Sequence, residues 1–364
     1  MVMKILTIVG ARPQFIKAAM LNRAIRADSS VTEVIVHTGQ HHDSLMSDIF
    51  FEQLDIEKPD HALGITGGTH GDMTGRMMVA LDPVLLEEKP DRVLVYGDTN
   101  STLAAALCAS KFGIPVVHVE AGLRSYNHNM PEEINRVLTD HVSSLLFCPT
   151  DGAVENLAKE GITQNVENVG DIMLDAALFY AGDATKLSAL PLPLRKFVEN
   201  GSYILATIHR QENTESPARM QNVIDGLLEL ARSYQIVLPL HPRTRHKISA
   251  STYFLLEDHP NIHCVEPLGY LEMLQIVRYA SLVVTDSGGL QKEAFFFKGP
   301  CATLRDQTEW NELVSSGWNI LVDTSCGRVA EAVLPMLGTK GRDDIHPYGD
   351  GQAADKILAR LLQL

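Results

Sequence analysis

The chain has 364 residues, 45% of them hydrophobic and 21% charged, and a formal net charge of −14. That acidity argues against a nucleic-acid or anionic-membrane partner, so an anionic ligand has to be held by local basic groups. The apolar runs are far shorter than a membrane span, "MVMKILTIVGARPQ" is unlike a signal peptide, and five scattered cysteines without a C-x-x-C pair point to free thiols in a reducing cytoplasm.

Short β-branched runs alternate with amphipathic stretches from end to end. Expected strands are Ile5–Val9, Val34–His37, Arg92–Tyr96, Val116–Val119, Leu145–Cys148 and Val166–Val169, then Tyr203–Ile208, Ile236–Leu240, Ile262–Val265, Leu282–Thr285, Cys301–Leu304 and Asn319–Val322. Between them lie helical patterns such as "NSTLAAALCASKFG" and "PARMQNVIDGLLELARSY". This alternation predicts βαβ units and parallel sheets. The length exceeds a single core. The pattern weakens near Gly170–Leu190, before the proline-rich "LSALPLPLRKFVENGS", so a linker is placed there. The expected division is 1–170 and 171–351, two Rossmann-like halves, with a last helix at 352–364 free to pack on either.

In an open parallel sheet the ligand binds beyond the carboxyl ends of the strands, so polar residues right after a strand are the candidates. "GARPQFIK" (10–17) places Arg12 at a helix start and Lys17 a turn inside, both able to neutralise phosphate; a solvated basic pair is the plain alternative. "VYGDTNSTLAAA" (95–106) ends a strand on Asp98, which can equally serve as an N-cap. "PVVHVEAGLR" (115–124) ends a buried strand on Glu120, an expensive place for a carboxylate unless it is paired or functional; Arg124 is the nearest pairing candidate. "NMPEEINR" (129–136) puts Glu132 at a helix start.

In the second half, "ATIHRQEN" (206–213) puts His209 and Arg210 after the first strand, and a histidine there can act as acid or base. "VVTDSGGLQKEAFFF" (283–297) is strand, glycine turn, helix: Ser287, Gly288 and Gly289 would aim N–H groups at an anion, and Glu293 would accept from ribose hydroxyls. "TLRDQTEW" (303–310) adds Arg305. The histidines of "HTGQHHD" (37–43) and "GGTHGD" (67–72) match no closed zinc pattern, and no G-x-G-x-x-G follows the first strand; neither a metal nor a nicotinamide cofactor is expected.

Six motifs in order, "GARPQFIK", "GDTNSTLA", "HVEAGLRS", "MPEEINR", "HRQEN" and "TDSGGLQKEA", resemble the non-hydrolysing UDP-N-acetylglucosamine 2-epimerases over residues 4 to about 325. The resemblance implies a glycosyltransferase-B-like α/β fold of two Rossmann-type domains with the active site in the cleft between them, a homodimer, and a reaction without cofactor or metal. It implies catalytic roles for Asp98, Glu120, Glu132 and His209. It assigns Arg12, Lys17, Arg210, Ser287, Gly288, Gly289, Glu293 and Arg305 to the UDP-sugar, and makes Gln40, Glu212 and His241 candidates for an allosteric UDP-sugar site.

Departures from the family pattern bear on the substrate. Leu268 and Met273 stand where relatives specific for the plain sugar carry Gln and Phe, and "TEWNE" (308–312) stands for Glu-Arg-Pro-Glu. "LHPRTR" (240–245) stands for a His-x-Asn-Pro form of relatives with the allosteric site; "HPRT" also occurs in relatives that use the plain sugar, so it does not decide the substrate. "GARPQFIK", "THGDMTGRM", "KEAFFFKGPC" and "RDQTEW" look closer to a subgroup acting on UDP-2,3-diacetamido-2,3-dideoxy-glucuronate for lipopolysaccharide O-antigen. Arg243, Arg245 and His246 are candidates by charge for its extra carboxylate. The rival readings are the plain-sugar 2-epimerase, a glycosyltransferase on the same fold, and a non-catalytic UDP-sugar sensor.

Overall fold

The structure, a computed structural model, describes residues 2–40, 54–182, 190–200 and 202–363. The chain folds into two compact units, Met1–Ala176 with His346–Leu364, and Ala177–Ile345.

The first unit is built on β1 (Met3–Val9), β2 (Val31–His37), β3 (His61–Ala62), β4 (Arg92–Tyr96), β5 (Val116–Val119), β6 (Leu145–Cys148) and β7 (Val166–Asn168). These form one parallel sheet in the order β3-β2-β1-β4-β5-β6-β7. Val93, Leu94, Val95 and Tyr96 are all fully buried, as strands covered by helices on both faces must be. The flanking helices start where their sequences provide caps: Thr69, Thr99 and Thr150 each accept a hydrogen bond from the backbone three residues on, before His70–Glu88, Asn100–Lys111 and Asp151–Lys159.

The second unit carries β8 (Tyr203–Thr207), β9 (Gln235–Pro239), β10 (Ile262–Val265), β11 (Leu282–Thr285), β12 (Cys301–Thr303) and β13 (Asn319–Leu321), a parallel sheet in the order β10-β9-β8-β11-β12-β13. The helix Pro217–Leu230 packs Met220, Val223, Ile224 and Leu227 into the core on one face of it, with Val329, Ala330 and Val333 from a later helix.

The twelve strands expected from β-branched runs are present, within two or three residues at their ends. Among the strands of the described residues only β3, two residues long and without β-branching, gave no signal. Residues near the expected linker contain a helix, Ile172–Gly182, apolar on every side but for Asp175, so no 3.6-residue stripe marks it. The backbone N–H of Asp171 donates to Tyr348 O at 2.9 Å, that of Ala354 to Asp175 Oδ2 at 2.8 Å, and Arg360 pairs with Glu167, so the C-terminal helix Ala353–Leu361 belongs to the first unit.

Candidate active site

In each sheet the strand order reverses once, between β1 and β4 in the first unit and between β8 and β11 in the second. The turns after those four strands flank the topological switch points, where open α/β sheets bind ligands. They carry most of the residues singled out above.

After β1 the chain turns at Gly10, where a side chain would run into Thr38 Oγ1 at 2.1 Å and Ser101 Oγ at 2.2 Å. Gln14, buried in the following helix Arg12–Arg26, fixes the turn. Its Oε1 accepts from the N–H groups of Gly10 and Ala11, and its Nε2 donates to Tyr96 O and Thr102 Oγ1, both at 2.9 Å. The first switch point is thus tied from one side to the other. Arg12 is the first residue of the helix and half-buried.

Lys17, a turn into that helix, is buried and its Nζ pairs with Glu120 Oε2. Glu120 is therefore not paired with Arg124, the partner its sequence neighbourhood suggested. Glu120 sits in the left-handed region at φ 73°, a conformation that costs a non-glycine residue about 1–3 kcal/mol and clusters at functional sites. Both its N–H and that of Ala121 donate to Phe147 O at 3.0 Å, which holds the turn. Gly97 leaves room for the carboxylate: a Cβ there would lie 3.0 Å from Glu120 Oε2 and 3.4 Å from Lys17 Nζ.

Asp98 follows Gly97 and is not an N-cap; Thr99 caps the helix instead. Asp98 pairs with Arg136, and its backbone carbonyl accepts from Asn135 Nδ2 at 2.9 Å. Desolvation pushes the Asp98 carboxyl above the ordinary aspartate value; Glu120 pushes the same way, while Arg136 and Lys17 pull against it. One turn before Arg136 in the helix Pro131–Val142, and so on the same face, lies the exposed Glu132. Its neighbour Glu133 faces inward and accepts from Ser125 N and Oγ, Tyr126 N and Arg136. Burial would raise Glu133, but those bonds outweigh it and hold the carboxyl below the usual range. The two adjacent acids stand in opposite surroundings, Glu132 exposed and Glu133 buried.

Sequence reasoning missed a network beneath these turns. His118 in β5 is fully buried and contacts Asp140 Oδ1 through Nδ1 and Gly97 O through Nε2, both at 2.7 Å. Asp140 Oδ2 accepts from Gly122 N at 3.1 Å and from Arg124, which also forks onto Glu160 with two bonds of 2.7 Å. His118 reads in the sequence as one more β5 core position, so only its neighbours drew attention.

In the second unit His209 and Arg210 follow β8, and their backbone N–H groups donate to the fully buried Asp286 at 2.9–3.0 Å. The His209 ring adds Nδ1 to Asp286 Oδ1 at 3.1 Å, and Asn213 Nδ2 donates to Oδ2. Burial would raise Asp286, but these donors, His209 first, hold its pKa down. It is thus a fixed anion orienting the histidine. The His241 ring lies 5.5 Å from that of His209, and its pKa is lowered by partial desolvation of the ring and then by His209 and Arg243. Arg243 donates to His209 O at 3.1 Å.

After β11, Ser287 caps the helix Gly288–Phe296, its Oγ accepting from Leu290 N. A side chain at Gly288 would meet Glu309 Oε1 at 2.5 Å, with Arg210 Nη2 at 3.6 Å, whereas Gly289 opens on free space. Arg305 donates to Glu309 at 2.9 Å, and Trp310 Nε1 to Gly288 O. Glu293 is buried on this helix, beside Lys292, whose ammonium lies 4.3 Å from the Trp310 ring centre. A glycine-rich helix start with Arg210 and Arg305 nearby suits an anionic group.

Among the allosteric candidates, Gln40 Oε1 accepts from Ser101 N and Oγ, while Glu212 and His241 are exposed on the second unit. Leu268 and Met273 pack against the cluster of Val283, Ile276 and Leu290. Arg245 pairs with Glu266, so it is committed at the surface. Of the histidines weighed for metal, His70 bonds Asn100, and His41, His42 and Asp43 lie outside the described residues. Among the described residues no helix is long and apolar enough to cross a membrane.

A family model described as UDP-N-acetylglucosamine 2-epimerase matches residues 23–362. A Pseudomonas aeruginosa protein named UDP-2,3-diacetamido-2,3-dideoxy-D-glucuronate 2-epimerase is 52% identical over the whole of both chains. The crystal structure of the Methanocaldococcus jannaschii UDP-GlcNAc 2-epimerase in complex with UDP-GlcNAc and UDP superposes over the full length of both chains, with a TM-score of 0.86 and 42% identity. That of the Neisseria meningitidis UDP-GlcNAc 2-epimerase bound to UDP-GlcNAc does so with a TM-score of 0.88 and 33% identity.

Proposed function

Because the chain belongs to the UDP-N-acetylglucosamine 2-epimerase family and is a UDP-sugar 2-epimerase, an isomerase, we propose that its substrate is UDP-2,3-diacetamido-2,3-dideoxy-D-glucuronate, inverted at C2 to the manno epimer for surface polysaccharide. The observation that carries the substrate is full-length identity of 52% to a protein of that name, against 44% over the 98% of each chain that aligns in sequence with the M. jannaschii UDP-N-acetylglucosamine 2-epimerase.

The proposed chemistry is elimination and re-addition. A base takes the C2 proton while the C1–O bond breaks, the C2–H electrons form the C1–C2 double bond, and UDP leaves with the bonding pair. The 2-acetamidoglycal is then protonated at C2 from the opposite face as UDP adds back to C1. C2–H is not acidified by an adjacent carbonyl, so positive character at C1 has to be stabilised by nearby anions and the leaving diphosphate by cations. Asp98 and Glu120 on adjacent strand ends of the first unit, with Glu132 on a neighbouring helix, fit the first need. Arg12 and Lys17 there, and Arg210, Arg305, Ser287, Gly288 and Gly289 in the second unit, fit the second, with Glu293 for the ribose. His209, oriented by Asp286, is a proton carrier. Glu120 is thus a carboxylate kept at strain for a cationic transition state.

The test is acceptor-free. Each of the two UDP-sugars is incubated with the protein alone and the products are resolved by NMR. A manno product from the diacetamido-uronate and none from UDP-N-acetylglucosamine supports the reading; the reverse assigns the plain sugar. No turnover of either overturns the substrate reading and points to a different UDP-sugar.

A further inference from the structure

We propose that His118, held as a doubly protonated imidazolium between Asp140 and the Gly97 carbonyl, is a positioning residue that clamps the turns bearing Asp98 and Glu120. The inference rests on the elimination chemistry proposed above and adds to it a group that touches no substrate.

The protonation state follows from the partners. A backbone carbonyl only accepts. Asp140 is buried, and His118, Arg124 and Gly122 N–H all converge on its two oxygens, which is the environment of an ionised carboxylate. Each ring nitrogen of His118 therefore faces an acceptor at 2.7 Å. A neutral ring has one proton to give, which would press the other nitrogen's lone pair against an oxygen in a fully buried site. Two donated bonds require both protons.

The consequence for the site is geometric. His118 Nε2 holds Gly97, the residue immediately before Asp98, which lies in the left-handed region at φ 61°. Through Asp140 Oδ2 the same pair holds Gly122 N, two residues after Glu120 in a turn that also contains the strained φ of Glu120. One ion pair thus spans both turns. The imidazolium, with Arg124 on the other side of Asp140, also keeps this buried carboxylate neutralised beneath the acids Asp98 and Glu120. Catalytic groups displaced by an ångström lose about 100-fold in rate, so release of this clamp should show in turnover.

Two measurements test it on the full chain. In histidine ring correlations of 15N-labelled wild-type protein at pH 7, assigned with His118→Asn, the His118 ring should show protons on both nitrogens, in slow exchange with solvent. A nitrogen without a proton overturns the proposal. His118→Phe keeps an aromatic ring of similar size but donates neither to Gly97 O nor to Asp140, so it releases the clamp. It should lower kcat about 100-fold with KM within about twofold, a split that a simple loss of folded protein would not give once rates are normalised to the folded fraction. Wild-type kcat in that variant overturns the clamp. Asp98→Asn and Glu120→Gln are assayed beside it. If they retain wild-type turnover, the elimination reading falls and the clamp with it; if they are inactive while His118→Phe is not, only the clamp falls. Should His118→Phe not fold, the wild-type spectrum alone decides.

Discussion

Lys17→Met, which removes the cation from a pair whose side chains are only 8% and 13% exposed, should destabilise the first unit far more than an ordinary surface change. Breaking one side of such a buried pair costs about 3–5 kcal/mol, because the remaining carboxylate stays desolvated. Replacing both partners by neutral groups of similar shape is close to neutral, so Lys17→Met with Glu120→Gln should recover much of the loss. A coupling energy of about 1–3 kcal/mol is expected for two groups in contact. For a unit of this size, a loss of that order lowers the transition by roughly 10 °C. Scanning calorimetry on the four proteins of the cycle at pH 7.5 reads it directly. Single and double variants whose losses simply add would refute the ion pair as the reason Glu120 is tolerated in its buried turn.

Glu132→Gln should leave thermal stability nearly unchanged and cut turnover by orders of magnitude, whereas Glu133→Gln should lose about 1.5–3 kcal/mol of stability, since it gives up hydrogen bonds to a charged, buried acceptor. Because the Glu133 pKa is lowered in the folded chain, the stability it contributes is present above its unfolded pKa near 4.5 and is lost as pH falls through the lower folded value. Gly10→Ala should cost roughly 1–3 kcal/mol by overpacking against Thr38 and Ser101, read as a lower unfolding temperature. Asp175, buried in the helix Ile172–Gly182 against the start of the C-terminal helix, is raised by burial from 3.8 to about 6. Its contribution is therefore fully present below the unfolded value and lost as pH rises through about 6. Asp175→Asn should gain up to about 3 kcal/mol over wild type at pH 8, at ~1.4 kcal/mol for each pH unit, with no gain at pH 3.5; equal melting curves at pH 8 would contradict that.

Strand residues buried on both faces made the α/β class readable, because a parallel sheet leaves uninterrupted runs such as Arg92–Tyr96 in the sequence. The turns after β1, β4, β5, β8 and β11 were readable for the same reason: a polar residue ending an apolar run stands out. What the sequence did not carry is which side chain meets which. Lys17 and Glu120 lie 103 residues apart, and Arg136 and Asp98 lie 38 apart, so the nearer Arg124 was the natural guess for Glu120. His118 stayed hidden because a buried histidine inside "VVHV" has the appearance of a core position until the acceptors around it are known. The helix Ile172–Gly182 was hidden because apolar residues surround it on every side, Asp175 excepted, and β3 by its length.

The most direct test of the elimination chemistry is proton NMR in D₂O with UDP-2,3-diacetamido-2,3-dideoxy-D-glucuronate and no other substrate. The account predicts a manno product with deuterium at C2, formed by wild-type protein and not by Glu120→Gln. A manno product that keeps the original C2 proton would contradict it.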